Sequence, residues 1–346
     1  LHDKNKFEIY GFYLGIKKDT RLKEIKNTFD KFFYISDKST TEILKLVNDL
    51  SVDIAIDVGG VTKSNRYKIF NSRCAPIQVS FLGFAGTTGL TNMDYIIGDT
   101  NVILEKNRKF FTENVIYMPN TFMPTNDSQK ISEKKVTKID EGLPENSIVY
   151  CCFNKHYKIT PQIFDLWIKI LNIVEKSILW LNDADDTTQF NIIEYSKKRG
   201  LDKNRIYFTK RSKNYEDYLA KHCLADIFLD TSPFSAHSTG CSSLIAGVPI
   251  ITLQGKSFSN NVSSSLLRAM GISELITKSS SEYVEKALDL GNNSFKIIEI
   301  KKKIKKNFFK ESLFNSKLYT KNLEKAFIEI YNNKINNFKL KDIYIS

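Results

Sequence analysis

The sharpest chemical signal in the 346-residue chain is the segment Ala225-Asp-Ile-Phe-Leu-Asp-Thr-Ser-Pro-Phe-Ser-Ala-His-Ser-Thr-Gly240. An apolar strand there runs into a loop of small residues and then into a helix predicted over 239–246. Such a junction binds anions, because first-turn N–H groups have no partner inside the helix and the helix dipole adds partial positive charge. Ser238 and Thr239 place hydroxyl donors beside those amides, and His237 is placed to donate to a phosphate or a sugar hydroxyl. Spacing alone also allows a plainer arrangement in which Ser238 caps the helix and His237 is an exposed turn residue.

A second segment, Cys151-Cys-Phe-Asn-Lys-His-Tyr-Lys-Ile-Thr160, follows an apolar strand. Lys155 and Lys158 fall at the end of that strand, where a fixed ammonium can offset the negative charge growing on a departing phosphate. A third, Gly83-Phe-Ala-Gly-Thr-Thr-Gly89, is glycine-dense and lets backbone approach a ligand closely. Neither G-x-G-x-x-G nor G-x-x-x-x-G-K-[ST] occurs, so a dinucleotide enzyme or P-loop ATPase gains no support. The carboxylates of Asp183-Ala-Asp-Asp186 resemble a metal-holding D-x-D, but they stand before a predicted helix and are explained as N-terminal charge and capping.

The elements that must position these residues alternate. Strands are predicted at 7–14, 32–36, 52–59, 77–83, 95–99 and 114–118, with helices at 19–30, 40–50 and 64–72. Residues 124–145 then lose the apolar rhythm, as a connection between two compact units does. Strands resume at 148–153, 177–181, 205–209, 226–230 and 249–253, with helices at 161–174, 187–200, 214–223, 239–246 and 261–270. The expected fold is α/β: two doubly wound, Rossmann-like lobes, residues 1–135 and 136–346. After Ser281 the chain turns helical and Lys-rich to Asn333, a tail expected to pack back across the first lobe. Two such lobes normally bind their ligand where strand ends face a shared cleft.

Composition narrows the partners. With 42% hydrophobic and 26% charged residues the chain can fill two cores, which excludes a disordered or fibrous protein. No run reaches the roughly 18 apolar residues of a membrane-spanning helix. The net charge of +12 is mostly local, since residues 296–341 hold 13 Lys against 4 acidic residues. Only 8 of the 51 basic residues are Arg, the side chain best shaped for phosphates and base edges, so a solvated Lys-rich face is preferred to nucleic-acid binding. Cysteines at 74, 151, 152, 223 and 241 lack metal-ligand spacing and point to a reducing, cytoplasmic compartment. The opening Leu1-His2-Asp3 resembles the end of a helix, so a truncated chain lacking an opening strand is expected.

Taken together, several segments resemble the catalytic region of the protein O-linked N-acetylglucosamine transferases, with their protein O-fucosyltransferase and bacterial relatives. The resemblance rests on Gly60-Val-Thr-Lys63, Arg73-Cys-Ala-Pro-Ile-Gln78, Leu82-Gly-Phe-Ala-Gly-Thr-Thr-Gly89 and Met93-Asp-Tyr-Ile-Ile97. It continues through Cys152-Phe-Asn154, Tyr157-Lys158, Leu224-Ala-Asp226, Leu229-Asp-Thr231, His237-Ser-Thr-Gly240, Ala246-Gly-Val-Pro249 and Leu313-Phe-Asn315. It implies a GT-B type, metal-independent glycosyltransferase that moves a sugar, N-acetylglucosamine first among candidates, from a UDP-sugar to Ser or Thr of a protein with inversion. No cofactor beyond the donor is implied.

By the same resemblance Lys158 contacts the diphosphate leaving group, and His237, Ser238 and Thr239 grip phosphate and sugar, with Ser238 in place of a threonine. His237 and Lys158 are the implied catalytic pair. Gly83 matches a sugar-pocket glycine, and Thr62 and Lys63 fall on the acceptor side. Three positions depart from the vertebrate-type enzyme: Lys155 replaces a glutamine, Tyr218 a histidine beside the uracil, and Ser242 an acidic residue near the ribose. These leave glucose or fucose donors as alternatives, and bacterial relatives of the fold that glucosylate Asn leave an Asn acceptor as another. The family's opening strand, its loop with a proposed catalytic His, and its tetratricopeptide array have no counterpart in the chain. A donor-binding module with weak turnover is therefore the rival expectation.

Overall fold

The central strands read as unbroken apolar runs because they are buried on both faces, as parallel sheets under helices require. The structure is a computed structural model and describes residues 1–16, 20–62 and 65–346. In chain order the strands are Tyr10–Tyr13 (β1), Lys31–Tyr34 (β2), Ile54–Asp57 (β3), Ile77–Ser80 (β4), Tyr95–Gly98 (β5), Asn114–Tyr117 (β6) and Ile148–Cys152 (β7). There follow Ser177–Leu181 (β8), Ile206–Phe208 (β9), Ile227–Leu229 (β10), Ile250–Leu253 (β11), Ile276–Thr277 (β12) and Ile343–Tyr344 (β13). The α-helices are Thr20–Lys26 (α1), Thr40–Asp49 (α2), Lys68–Asn71 (α3), Pro161–Ile173 (α4), Asp186–Lys197 (α5) and Tyr215–His222 (α6). Beyond them lie Ser238–Ile245 (α7), Phe258–Ala269 (α8), Ser280–Gly291 (α9), Ser294–Asn307 (α10) and Ser316–Ile335 (α11).

The chain divides into two units: residues 1–98, 109–119 and 317–346 form the first, and residues 99–108 and 120–316 the second. The first holds a parallel sheet of order β13-β6-β5-β4-β3 and a separate parallel pair, β1-β2. The second holds one parallel sheet of order β12-β11-β10-β7-β8-β9. Its strands run outward from β7 in two directions, first through β8 and β9 and then through β10 to β12. The strand order reverses between β7 and β10, which is where open α/β sheets place ligands.

This division differs from a boundary at 135/136. Residues 120–135 belong to the second unit because Phe122 packs edge-on against Phe258 at 4.8 Å and Ser132 N–H donates to the Glu216 carbonyl at 3.2 Å. The C-terminal residues from Lys317 belong to the first unit, where β13 adds a strand beside β6 and Tyr344 stacks on Tyr117 at 4.5 Å. The predicted helices at 19–30 and 64–72 begin at residues outside those described.

The second unit is cored by Trp167, Trp180, Tyr150, Tyr283 and Phe228, all fully buried. Buried polar ends need partners. Trp167 Nε1 donates to the Tyr283 hydroxyl at 3.0 Å, and that hydroxyl donates to the Asp230 carbonyl at 3.0 Å. The core thereby fastens the residue that opens the loop after β10. No helix among the described residues is long and apolar enough to cross a membrane.

Candidate functional site

The strand ends of β7 and β10 build a pocket of about 410 Å³ within the second unit, a volume typical of small-ligand sites. Phe153, Asn154, Lys155, Tyr157 and Lys158 line it from the β7 side, Phe234, His237, Ser238 and Thr239 from the β10 side, with Asn182 and Tyr218 completing the wall. Of the residues singled out from sequence, Lys155, Lys158, Tyr218, His237, Ser238 and Thr239 are thus brought together. No carboxylate is among the lining residues, so the described wall is cationic.

The helix opening onto this pocket is α7, and its N-terminus is bare. His237 occupies the N-cap position with no side-chain cap hydrogen bond. By contrast α4, α5, α6, α8, α9 and α10 are capped by Thr160, Asp185, Asn214, Ser257, Ser279 and Asn293. Neither Ser238 nor Thr239 caps α7, which rules out the plainer arrangement for Ser238 and leaves first-turn amides for a ligand. Asp185 accepts from Thr188 N–H at 2.9 Å, so the Asp183–Asp186 run does cap α5 as its position suggests.

Lys158 ends a short 3₁₀ turn, His156–Lys158, that follows β7. Its ammonium donates to the Ser235 carbonyl at 3.0 Å and lies 3.8 Å from the Phe234 ring centroid. One of its three N–H bonds meets the carbonyl and a second can face the ring, which leaves donor capacity for an anion. Burial lowers its pKa below the usual lysine value, while the negative charge of Asp230 opposes the shift. Lys155, by contrast, is exposed at the rim.

His237 is held neutral, its pKa pushed down to about 4 by burial and by the nearby Lys158 charge. Its Nε2 lies 3.3 Å from the Ser259 carbonyl. A carbonyl only accepts, so Nε2 carries the proton and Nδ1 is an acceptor. The ring therefore suits a hydroxyl that donates to it better than a phosphate oxygen. A pKa that low also makes it a weak proton acceptor, which favours positioning over base catalysis.

Asp230, at the end of β10, is fully buried and shapes the loop below the pocket. Its carboxylate accepts from Thr231 N–H at 2.8 Å, Ala236 N–H at 2.7 Å and the Thr252 hydroxyl at 2.7 Å. Burial raises its pKa, and hydrogen bonds and the Lys158 charge work against that rise. Behind Tyr218, the His222 ring is buried 4.5 Å from both Tyr218 and Phe153, with neither ring nitrogen hydrogen-bonded.

Ser242 is not part of the pocket wall. It lies one helical turn past Ser238, 2% exposed, with its hydroxyl 3.0 Å from the Ser238 carbonyl and 2.8 Å from the Tyr215 hydroxyl. It fastens α7 to α6. Gly83 and Thr62 belong to the first unit, and Lys63 lies outside the described residues. Thr62 is exposed and donates to the Gly59 carbonyl at 2.8 Å. A Cβ on Gly83 would stand 2.2 Å from the Val58 carbonyl oxygen and 2.6 Å from that of Gly59. Backbone cannot yield as a side-chain tip does, so Gly83→Ala is expected to destabilise the first unit by about 1–3 kcal/mol. Urea unfolding followed by circular dichroism checks this, and an unchanged curve refutes it.

Sequence reasoning left Asn182 out of the site, and Phe153, Asn154, Tyr157 and Phe234 stood within the candidate segments with no role of their own. Their common signal is position, since Phe153, Asn154 and Asn182 immediately follow the C-terminal ends of β7 and β8.

Comparison with known proteins fits this geometry. The chain is 32% identical over 96% of its length to the probable UDP-N-acetylglucosamine–peptide N-acetylglucosaminyltransferase SEC of Arabidopsis thaliana, covering 35% of that protein. It spans about a third of the length of the curated relatives it matches. The O-GlcNAc transferase of Thermobaculum terrenum, solved as a point mutant, superposes with a TM-score of 0.90 at 26% identity, over 97% of this chain and 64% of that one. Anabaena Alr3699/HepE, solved with UDP and glucose, shares the fold at a TM-score of 0.59 and 12% identity, over 92% of this chain and 91% of that one. The two units are thus the Rossmann-like lobes of a GT-B fold. The sequence matches the profile of glycosyl transferase family 41 over residues 1–141 and 125–323, and the chain belongs to that family.

Proposed function

We propose that this chain is the catalytic region of a protein glycosyltransferase that moves N-acetylglucosamine from UDP-N-acetylglucosamine to Ser or Thr. The observation that carries this reading is the bare N-terminus of α7 beside Lys158, at the point where the strand order of the second sheet reverses. A nucleotide diphosphate meets there the three things it needs: unpaired amides, a partly buried ammonium and no facing carboxylate. The names of its relatives supply the sugar and the peptide acceptor.

In this reading the diphosphate lies against the first turn of α7, and Tyr218 offers a ring face for the base. His237 Nδ1 accepts from a sugar hydroxyl, and Lys158 neutralises the diphosphate as the glycosidic bond breaks. The acceptor hydroxyl attacks the anomeric carbon from the face opposite the leaving group as the bond from that carbon to the diphosphate oxygen breaks, releasing UDP and the hydroxyl proton, so configuration inverts. The protein's own cations supply the charge, which is the basis for metal independence. Asp185, in the acidic run after β8, is engaged in capping α5.

A thermal-shift series with UDP-N-acetylglucosamine, UDP-glucose and GDP-fucose tests the donor. A ligand at ~100-fold above its Kd adds about 2.7 kcal/mol of apparent stability, which moves a midpoint by several degrees. UDP-N-acetylglucosamine is expected to give the largest shift without added magnesium, followed by label transfer to protein Ser or Thr in the full-length enzyme. A larger shift with another donor, or one that appears only with magnesium, overturns the reading.

A further inference from the structure

Thr239 lines the pocket, yet its hydroxyl is already engaged. Asn154, the second residue after β7 and 1% exposed, sits directly behind it. The Asn154 side chain touches three groups: Thr239 Oγ1, Thr231 Oγ1 at 2.7 Å and Asp230 Oδ1 at 3.3 Å. Which end of the amide faces which group follows from the protons. The Thr231 hydroxyl lies 2.6 Å from the Phe234 carbonyl and must donate its one proton there. Only lone pairs remain on Thr231 for Asn154, so the amide nitrogen faces Thr231 and Asp230. The amide oxygen then faces Thr239. Since that oxygen only accepts, Thr239 donates its own proton to it.

We propose that Asn154 is a positioning residue that clamps the Thr239 hydroxyl, so that Thr239 meets the donor's diphosphate through its backbone N–H and not through its side chain. The clamp fixes the first turn of α7, and with it the aim of the free amides. The side-chain donor left on that turn is Ser238, which is exposed and caps nothing. Asp230 and Thr231 act one step further back by setting which way the Asn154 amide points. This inference rests on the pocket binding a nucleotide diphosphate, as proposed above.

The test is a double-mutant cycle in the full-length protein with Asn154→Ala, Thr239→Val and the pair, each titrated with UDP. Both single variants remove the same clamp, so each is expected to weaken UDP binding about tenfold, and the double variant no further. In steady state KM for the donor rises with kcat within about threefold, whereas a merely structural defect lowers kcat at constant KM. Thr239→Ser restores the hydroxyl and is expected to recover most of the affinity. A loss in Thr239→Val with wild-type affinity in Asn154→Ala would mean the hydroxyl contacts phosphate directly, and overturns the proposal. So do two additive losses, or two variants that bind as wild type. Failure of the wild-type protein to bind UDP would instead refute the proposed function. The same cycle read by ligand-free melting temperature then still decides whether the two residues act as one unit: losses that do not add support the clamp, and losses that add refute it.

Discussion

Lys158→Ala is expected to cut sugar transfer by about 10²–10³-fold while weakening UDP binding far less. In the intact donor the diphosphate charge is shared with the bond to the sugar, and a full extra charge appears on the leaving oxygen only as that bond breaks. An ammonium placed in advance stabilises the second state more than the first, which is the condition for raising kcat. The structure holds Lys158 by the Ser235 carbonyl and the Phe234 ring, and no carboxylate among the described residues is in ion-pair contact with it, so its ammonium can still meet a ligand. Steady-state transfer in the full-length enzyme, together with calorimetric UDP titration, checks the expectation. Wild-type transfer by the variant would remove Lys158 from the mechanism.

Below pH 6.5 His222 is expected to weaken the second unit. Burial pushes its pKa from 6.5 down to about 3, and both ring nitrogens lack partners. Between those values the unfolded chain binds a proton that the folded chain refuses. Stability is therefore fully present above pH 6.5 and drains as the pH falls toward 3, by ~4 kcal/mol from this residue. His237, with its pKa near 4, adds a share over the upper part of the same window. His222→Leu removes the larger contribution, so its stability is expected to fall less steeply below pH 6.5 and to be higher at pH 7, where the unpaired imidazole no longer counts against the fold. Both tryptophans, Trp167 and Trp180, lie in the second unit, so their fluorescence during urea unfolding reports that unit alone. Equal pH slopes in the two proteins would contradict the assignment.

Periodicity revealed most strands because buried parallel strands are continuous apolar runs, and β8 coincides with its expected range at 177–181. Two strands escaped it. Ile276–Thr277 and Ile343–Tyr344 are two residues long and exist only through pairing with Thr252–Leu253 and Ile116–Tyr117, partners remote in sequence. The site divided the same way. Strand ends and the helix start located Lys155, Lys158 and the His237–Thr239 run. What those groups can donate depended on Asn154, Thr231 and Ser259, and no spacing rule reports such contacts. Ser242 stands outside the pocket wall because a helix brings position i+4 onto the same face but about 6 Å further along the axis.

The adjacency of β7 and β10 also governs when the pocket comes into being. Its two walls are encoded far apart, and Tyr150 pairs with Ile227 across all the strands and helices between them. Closing a loop of that length carries an entropic cost, and such non-local pairing slows folding. A nascent chain therefore has no grip on nucleotide until α7 has left the ribosome. A nucleotide captured afterwards pins two distant stretches of the polypeptide and slows their separation, so substrate supply would set how long each finished molecule survives against proteolysis.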